Sequence, residues 1–220
     1  MNRYVIGLAP SVLVALGIHV GHSVILTFVL FYSWIGIIPF MDYLVCRKNR
    51  LARTIGDWGL TASLRQMIVG LSLGLFFLVT LLIGAYYLQD MLFDIERLRY
   101  LLEEWNFSGD HSVLLLLILV LLNPFLEEIY WRGYLYHRIG QSLGSVKNLL
   151  QASFWFASYH LIVIIPVFSW PLNAVAVVPI FAAGVIWGWI RHRTGSILIP
   201  IISHMFADLG IVIINMQYVK

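Results

Sequence analysis

Seven apolar runs, all but the short first one close to the length a helix needs to cross a hydrocarbon layer, dominate this 220-residue chain. About 20 helical residues make that crossing. The runs are residues 5–18, 22–41, 68–88, 112–137, 148–165, 171–190 and 196–216. In lipid every backbone N–H and C=O must be satisfied within the chain, which a helix does locally. The runs are continuous and lack the polar–apolar alternation of a lipid-facing barrel. The sequence therefore predicts an all-α, polytopic transmembrane helical bundle of about seven spans. The number is six if the first run is re-entrant or lies along the interface, and eight if residues 92–102 dip into the membrane. His19, Gly21 and His22 mark the break between the first two runs.

Composition agrees. Hydrophobic residues make up 60% of the chain and charged ones 11%, against about a quarter charged in soluble domains. Mean hydropathy is +0.87. A soluble domain, a disordered chain and a coiled coil are excluded. Fourteen basic against eleven acidic residues leave a net charge of +3, with no basic stripe, so no nucleic-acid partner is expected. The lipid bilayer is the partner that the composition demands. A single cysteine, Cys46, cannot form an intramolecular disulfide and reads as a free thiol. The first run leads into the second without a small-x-small cleavage site, so it is expected to stay in the membrane. No repeat, low-complexity stretch or linker divides the chain, which reads as one membrane domain over residues 1–220. The sequence does not set an oligomeric state.

Charge placement gives an orientation. Arg47, Lys48, Arg50, Arg53 and Arg65 fall in one loop, Arg138 and Lys147 flank the loop after next, and Arg191 and Arg193 sit beside the one two further on. Between them, residues 90–110 carry Asp90, Asp94, Glu96, Glu103, Glu104 and Asp110 against Arg97 and Arg99. Alternate loops are basic, which the positive-inside rule places in the cytoplasm. Trp58, Trp105 and Trp170 sit near predicted interfaces, as an aromatic belt would. Asp42, near Arg47, reads as structural.

A charge at membrane depth costs at least ~3 kcal/mol on insertion scales, so those that remain point to function. The deep ionisable groups are Glu127, Glu128, Arg132, His160, His204 and Asp208, from three runs. Glu128 and Arg132 are spaced to pair on one helix face. That pair alone could simply bind two spans together. Glu127, turned about 100° away, has no local partner, the arrangement expected of a general base. His160 closes the segment Phe156-Ala-Ser-Tyr-His160 and taken alone reads equally as a hydrogen-bonded core histidine. His204 and Asp208 lie one turn apart. They could hold a metal, bind a water, or let Asp208 orient the imidazole. Small residues at Ala182, Ala183, Gly184 and Gly188 allow close helix approach. Together these groups predict a polar, water-holding cavity lined by Glu127, His160, His204 and Asp208.

At these residues the sequence resembles the CAAX protease and bacteriocin-processing family of intramembrane endopeptidases, whose eukaryotic members are type II CAAX prenyl proteases. The family's Glu-Glu-x-x-x-Arg motif is matched by Glu127, Glu128 and Arg132, its Phe-x-x-x-His motif by Phe156 and His160, and its His-x-x-x-Asn/Asp motif by His204 and Asp208. The lead-in Thr194-Gly195-Ser196 with Pro200 is similar too. The resemblance covers about residues 112–216, the expected protease core.

It implies hydrolysis of a peptide bond within the membrane. Glu127 would activate a water with help from His160, and His204 with position 208 would stabilise the oxyanion. Prenyl-processing members carry Asn where this chain has Asp208. An ionised Asp cannot donate to an oxyanion, so Asp208 is protonated, orients His204 or binds a metal. The expected mechanism uses Glu127 without a cofactor, with zinc as the alternative. The implied substrate is a membrane-associated peptide or a membrane protein. A short chain without large soluble domains points to a prokaryotic cell membrane. Two other functions fit less of the sequence. One is a non-enzymatic immunity or regulatory scaffold of the same fold, whose motifs need not be complete. The other is a proton pathway, against which the absence of an inverted repeat speaks.

Overall fold

A computed structural model describes residues 2–46, 48, 51–92, 94–107, 111–140 and 145–219. Arg47, Arg50 and Asp110, counted above for orientation, lie outside these. Among the described residues every regular element is helical: α1 (Arg3–Ala15), α2 (Val24–Phe40), α3 (Leu51–Trp58), α4 (Leu64–Leu92), α5 (Ile95–Glu104), α6 (His111–Leu121), α7 (Asn123–Glu128), α8 (Tyr136–Gly140), α9 (Ser145–Val167), α10 (Leu172–Thr194) and α11 (Leu198–Ile214). Wider, π-helical turns extend several of them at Leu16–Val20, Met41–Cys46, Ile129–Leu135 and Asn215–Val219.

Seven stretches are long and apolar enough to cross a membrane: Arg3–Val20, Val24–Cys46, Leu64–Gln89, Ser112–Arg138, Val146–Val167, Leu172–Thr194 and Leu198–Val219. They correspond one for one to the apolar runs. The chain is an all-α polytopic bundle and an integral membrane protein. The stretch that would have supplied an eighth crossing holds the ten-residue α5, too short to span.

Local chemistry sets the boundaries. Ser23 stops the first pair of spans from fusing, its Oγ accepting the Leu26 N–H at 3.2 Å as the N-cap of α2. Asp94 caps α5 in the same way, through the Arg97 N–H at 3.0 Å. α10 ends at Gly195, whose φ of 70° is left-handed and disfavours a side chain. The fourth span is broken between α6 and α7 because Pro124 stands in the first turn of α7, where its missing N–H is tolerated.

Helices in lipid gain no hydrophobic advantage from meeting, so packing and interhelical hydrogen bonds hold them. α11 lies along α4, where a Cβ on Gly74 would come within 2.9 Å of the Phe206 ring and one on Gly70 within 3.0 Å of Ile202. α9 lies between α1 and α10. A Cβ on Gly7 would strike the Trp155 ring at 2.6 Å, and Ser11 Oγ meets Ser158 Oγ at 3.1 Å. On the other face, a Cβ on Gly184 would come within 3.2 Å of Phe156 and one on Gly188 within 3.2 Å of Leu149, the close approach that their small size suggested. Leu75, Phe76, Val79 and Ile83 of α4 are left exposed to the lipid side, while every residue from Ile129 to Leu135 is buried.

The loops gather at two ends. At one, Arg191 donates to the main-chain oxygens of Asp57 at 2.9 Å, of Arg132 at 3.3 Å and of Gly195. Ser196 Oγ donates to Thr61 O at 2.9 Å, and Arg138 pairs with Asp42 at 3.6 Å. At the other, the His22 ring meets Glu104 at 2.8 Å, Val24 N–H donates to Trp105 O at 2.9 Å, and Arg99 donates to Val219 O at 2.6 Å. This is the grouping that seven crossings require.

Two tryptophan expectations need correction. Trp58 is fully buried, edge-on to Phe40 and Tyr43, and Trp105 is buried as well. Both anchor short connecting helices onto the bundle instead of facing headgroups. Trp170 is exposed, as expected of a belt residue.

Candidate active site

Pro124 starts α7 just ahead of the Glu127–Glu128 pair, and the π-helical turn that follows carries Arg132. Wide turns of this kind interrupt the regular hydrogen-bond ladder and concentrate at functional sites. Glu127, Glu128 and Arg132 are all essentially excluded from solvent, at 1%, 0% and 2% exposure.

Glu128 and Arg132 pair as their spacing predicts, Nη1 to Oε1 at 2.8 Å. The guanidinium does more than close that pair. Nη2 donates to Gly184 O of α10 at 3.3 Å, and the group lies 4.3 Å from the Phe156 ring centroid and 5.2 Å from that of Trp187. It joins α9 and α10 to the motif helix through cation–π contacts, which strengthen when desolvated. The same Glu128 oxygen accepts from His204 Nδ1 at 3.0 Å. His204 is stacked on Trp187 with centroids 4.4 Å apart, and Trp187 is itself fixed by its Nε1–H donating to Ser203 Oγ at 2.9 Å. Glu128 is thus neutralised by two cationic or potentially cationic partners.

Glu127 sits outside that charge cluster but is not without a partner. The Tyr159 hydroxyl donates to its Oε2. Tyr159 Oη also meets His160 Nε2 at 3.1 Å, and His160 Nδ1 meets the Phe156 carbonyl at 2.9 Å. His160 is therefore connected to Glu127 through a phenol. Tyr159 is buried, stacked parallel to Trp131 at 5.9 Å and tilted on Phe31 at 4.8 Å.

Asp208 lies across from His204 Nε2 at 3.6 Å, an ion-pair distance and beyond a hydrogen bond. Its Oδ2 accepts from Asn123 Nδ2 at 3.0 Å, and Asn123 Oδ1 accepts from the Tyr32 hydroxyl at 3.1 Å. A carboxylate only accepts, which fixes the Asn123 amide with its nitrogen toward Asp208.

The structure thus brings all six sequence-derived residues into two linked groups, Arg132–Glu128–His204–Asp208 and Glu127–Tyr159–His160, joined covalently at Glu127–Glu128. The pairing of Asp42 is with Arg138. Glu127, Glu128 and His204 are buried at the centre of this cluster. Partial exposure remains at His160 and Asp208, the latter with 15% of its side chain accessible. A crevice of about 570 Å³, lined in part by Arg65, Trp189 and Arg193, is built from other residues.

Sequence reasoning left three partners without roles. Tyr159 stood inside the quoted segment beside His160, and Asn123 lies one turn before Glu127; adjacency was their signal. Tyr32 belongs to α2 and gave none. The zinc alternative meets a donor set that does not suit it. Both nitrogens of His160 and Nδ1 of His204 face protein partners. No group of three or more His, Cys, Asp or Glu side chains among the described residues is arranged to ligate one ion, whereas zinc needs about four ligands near 2.0–2.2 Å.

Residues 109–210, a little under half of the chain, match the family described as type II CAAX prenyl endopeptidase, Rce1-like. The segment contains all three motifs and α6 to α11 up to Gly210. No curated protein matches the chain, and no solved structure does.

Proposed function

We propose that this chain, whose residues 109–210 match the Rce1-like type II CAAX prenyl endopeptidase family, belongs to that family and hydrolyses a peptide bond of a membrane-associated peptide or protein by means of a Glu127-activated water. One observation carries the reading: two adjacent buried carboxylates have opposite surroundings. Glu128 is held by Arg132 and His204. Glu127 is held by a single phenol hydroxyl and keeps lone pairs to accept a proton from water. Adjacent acids set apart in this way are what division of labour between structure and base requires.

In the proposed step the water oxygen bonds to the scissile carbonyl carbon while its proton passes to Glu127. That proton then goes to the leaving amine nitrogen as the C–N bond breaks. His204 Nε2, at 3.6 Å from Asp208 and so not committed to a hydrogen bond there, donates its N–H to the oxyanion, with Asp208 beside it. Arg132 and Glu128 fix the ring from the other side. The mechanism needs no metal. The basic loops face the cytoplasm, in a prokaryotic cell membrane.

The test is cleavage of a fluorogenic peptide by protein reconstituted in liposomes. Glu127→Gln should lower kcat by at least about 100-fold while the protein still inserts and melts as the wild type does. A Glu127→Gln variant that cleaves normally would overturn the assignment. An inactive wild type across peptide libraries would favour the scaffold reading. Loss of activity with a zinc chelator, restored by zinc, would overturn the metal-free mechanism.

A further inference from the structure

The contacts around Tyr159 permit a proton count. Three run in one row: Phe156 O to His160 Nδ1 at 2.9 Å, His160 Nε2 to Tyr159 Oη at 3.1 Å, and Tyr159 Oη to Glu127 Oε2. Each needs one hydrogen. The carbonyl has none to give, so Nδ1 carries the first. The phenol supplies the second. A neutral imidazole protonated at Nδ1 offers only a lone pair at Nε2, and an ionised carboxylate offers only lone pairs. With Glu127 ionised and His160 neutral, two hydrogens must serve three contacts. The row is complete only with a third, on the Glu127 carboxyl or on His160 Nε2.

We infer that Tyr159 is a proton relay that moves this resident proton between Glu127 and His160. When the proton is on Glu127, the acid donates to Tyr159 Oη and the phenol donates to Nε2. When it shifts, the Glu127 O–H bond breaks as a new O–H forms at Tyr159, and the old phenol O–H breaks as N–H forms at His160. One proton has crossed, Tyr159 is unchanged, and Glu127 is an ionised base beside an imidazolium. No outside acid or base is needed. The geometry suits the task. Trp131 and Phe31 flank the phenol ring and the group is buried, so the hydroxyl is held in place and shielded from competing water. Relay through Tyr159 also explains how His160 serves Glu127 from one residue further along α9.

The inference rests on the proposed peptidase reading, and the two fail separately. Tyr159→Phe keeps the ring and its stacking but removes the relay. In liposomes it should lower kcat by about 100-fold, leave KM within about twofold and preserve the melting midpoint. Replacing Tyr159 with 3-fluorotyrosine and 3,5-difluorotyrosine should change kcat in a graded way with phenol acidity, which a purely structural hydroxyl would not do. If the wild type cleaves, Glu127→Gln is dead and Tyr159→Phe retains wild-type kcat, the relay is overturned and the base assignment stands. A loss in Tyr159→Phe with no graded response in the fluorinated proteins also overturns the relay. If Glu127→Gln cleaves as the wild type does, the base assignment falls first.

Discussion

Arg132 is the residue on which most of the site's order converges. It touches Glu128, Gly184, Phe156 and Trp187, and so ties three helical segments to one charge. Removing one member of a buried pair leaves the other uncompensated, at a cost of about 3–5 kcal/mol. Arg132→Ala should therefore lower the unfolding midpoint in detergent micelles by that order of free energy. The double variant Arg132→Met, Glu128→Gln removes both charges together and should recover much of the stability but not the cleavage. Equal stability of the single and double variants would show that the pair is not the source. Glu128 Oε2 has no hydrogen-bond partner, so Glu128 relies on the two donors at Oε1. The Glu128–Arg132 pair was legible in the sequence because both residues lie on one helix, where spacing translates directly into contact. His204 as the second partner was not, because it comes from another span 76 residues away.

Among the elements, α4 and α11 show how membrane helices achieve contact. Their long seam depends on small residues, with Gly74 against Phe206 and Gly70 against Ile202. Gly74→Leu has no space to fill and should destabilise the bundle by about 1–3 kcal/mol through overpacking. Gly36 of α2 is the control, since an added Cβ there meets nothing within 4 Å, and Gly36→Leu should leave the melting midpoint unchanged. Thermal unfolding in micelles reads both, and a similar response of the two would remove the seam from the account. α11 carries His204 and Asp208, so cleavage should fall in Gly74→Leu even though the substitution lies outside the site. The order of the spans was readable from apolar length alone, and their number to between six and eight. The wide turn Ile129–Leu135 and the break at Leu122 were not, because the apolar run 112–137 continues through both.

At the scale of the whole molecule, loops predicted on one side of the membrane do meet in space. Asp57, Thr61, Arg191 and Ser196 converge at one end, and His22, Glu104 and Val219 at the other. If the basic end faces the cytoplasm as proposed, a membrane-impermeant maleimide should label the exposed Cys46 in inverted vesicles and not in right-side-out ones. Glu103→Cys in a Cys46→Ser background should show the reverse. Labelling of both from one side would refute the seven-span orientation. The sequence by itself determined what is local: that the chain crosses a membrane six to eight times, in which order the spans follow, and which charged groups are forced to membrane depth. Apolar length and helical periodicity decide these without reference to neighbours. Only the tertiary structure decided which faces meet, and hence that Tyr159 stands between Glu127 and His160, that Tyr32 and Asn123 anchor Asp208, and that Trp58 turns inward. The rotation of each helix about its axis follows from the fit of small and large side chains across the bundle, and no single span carries that information.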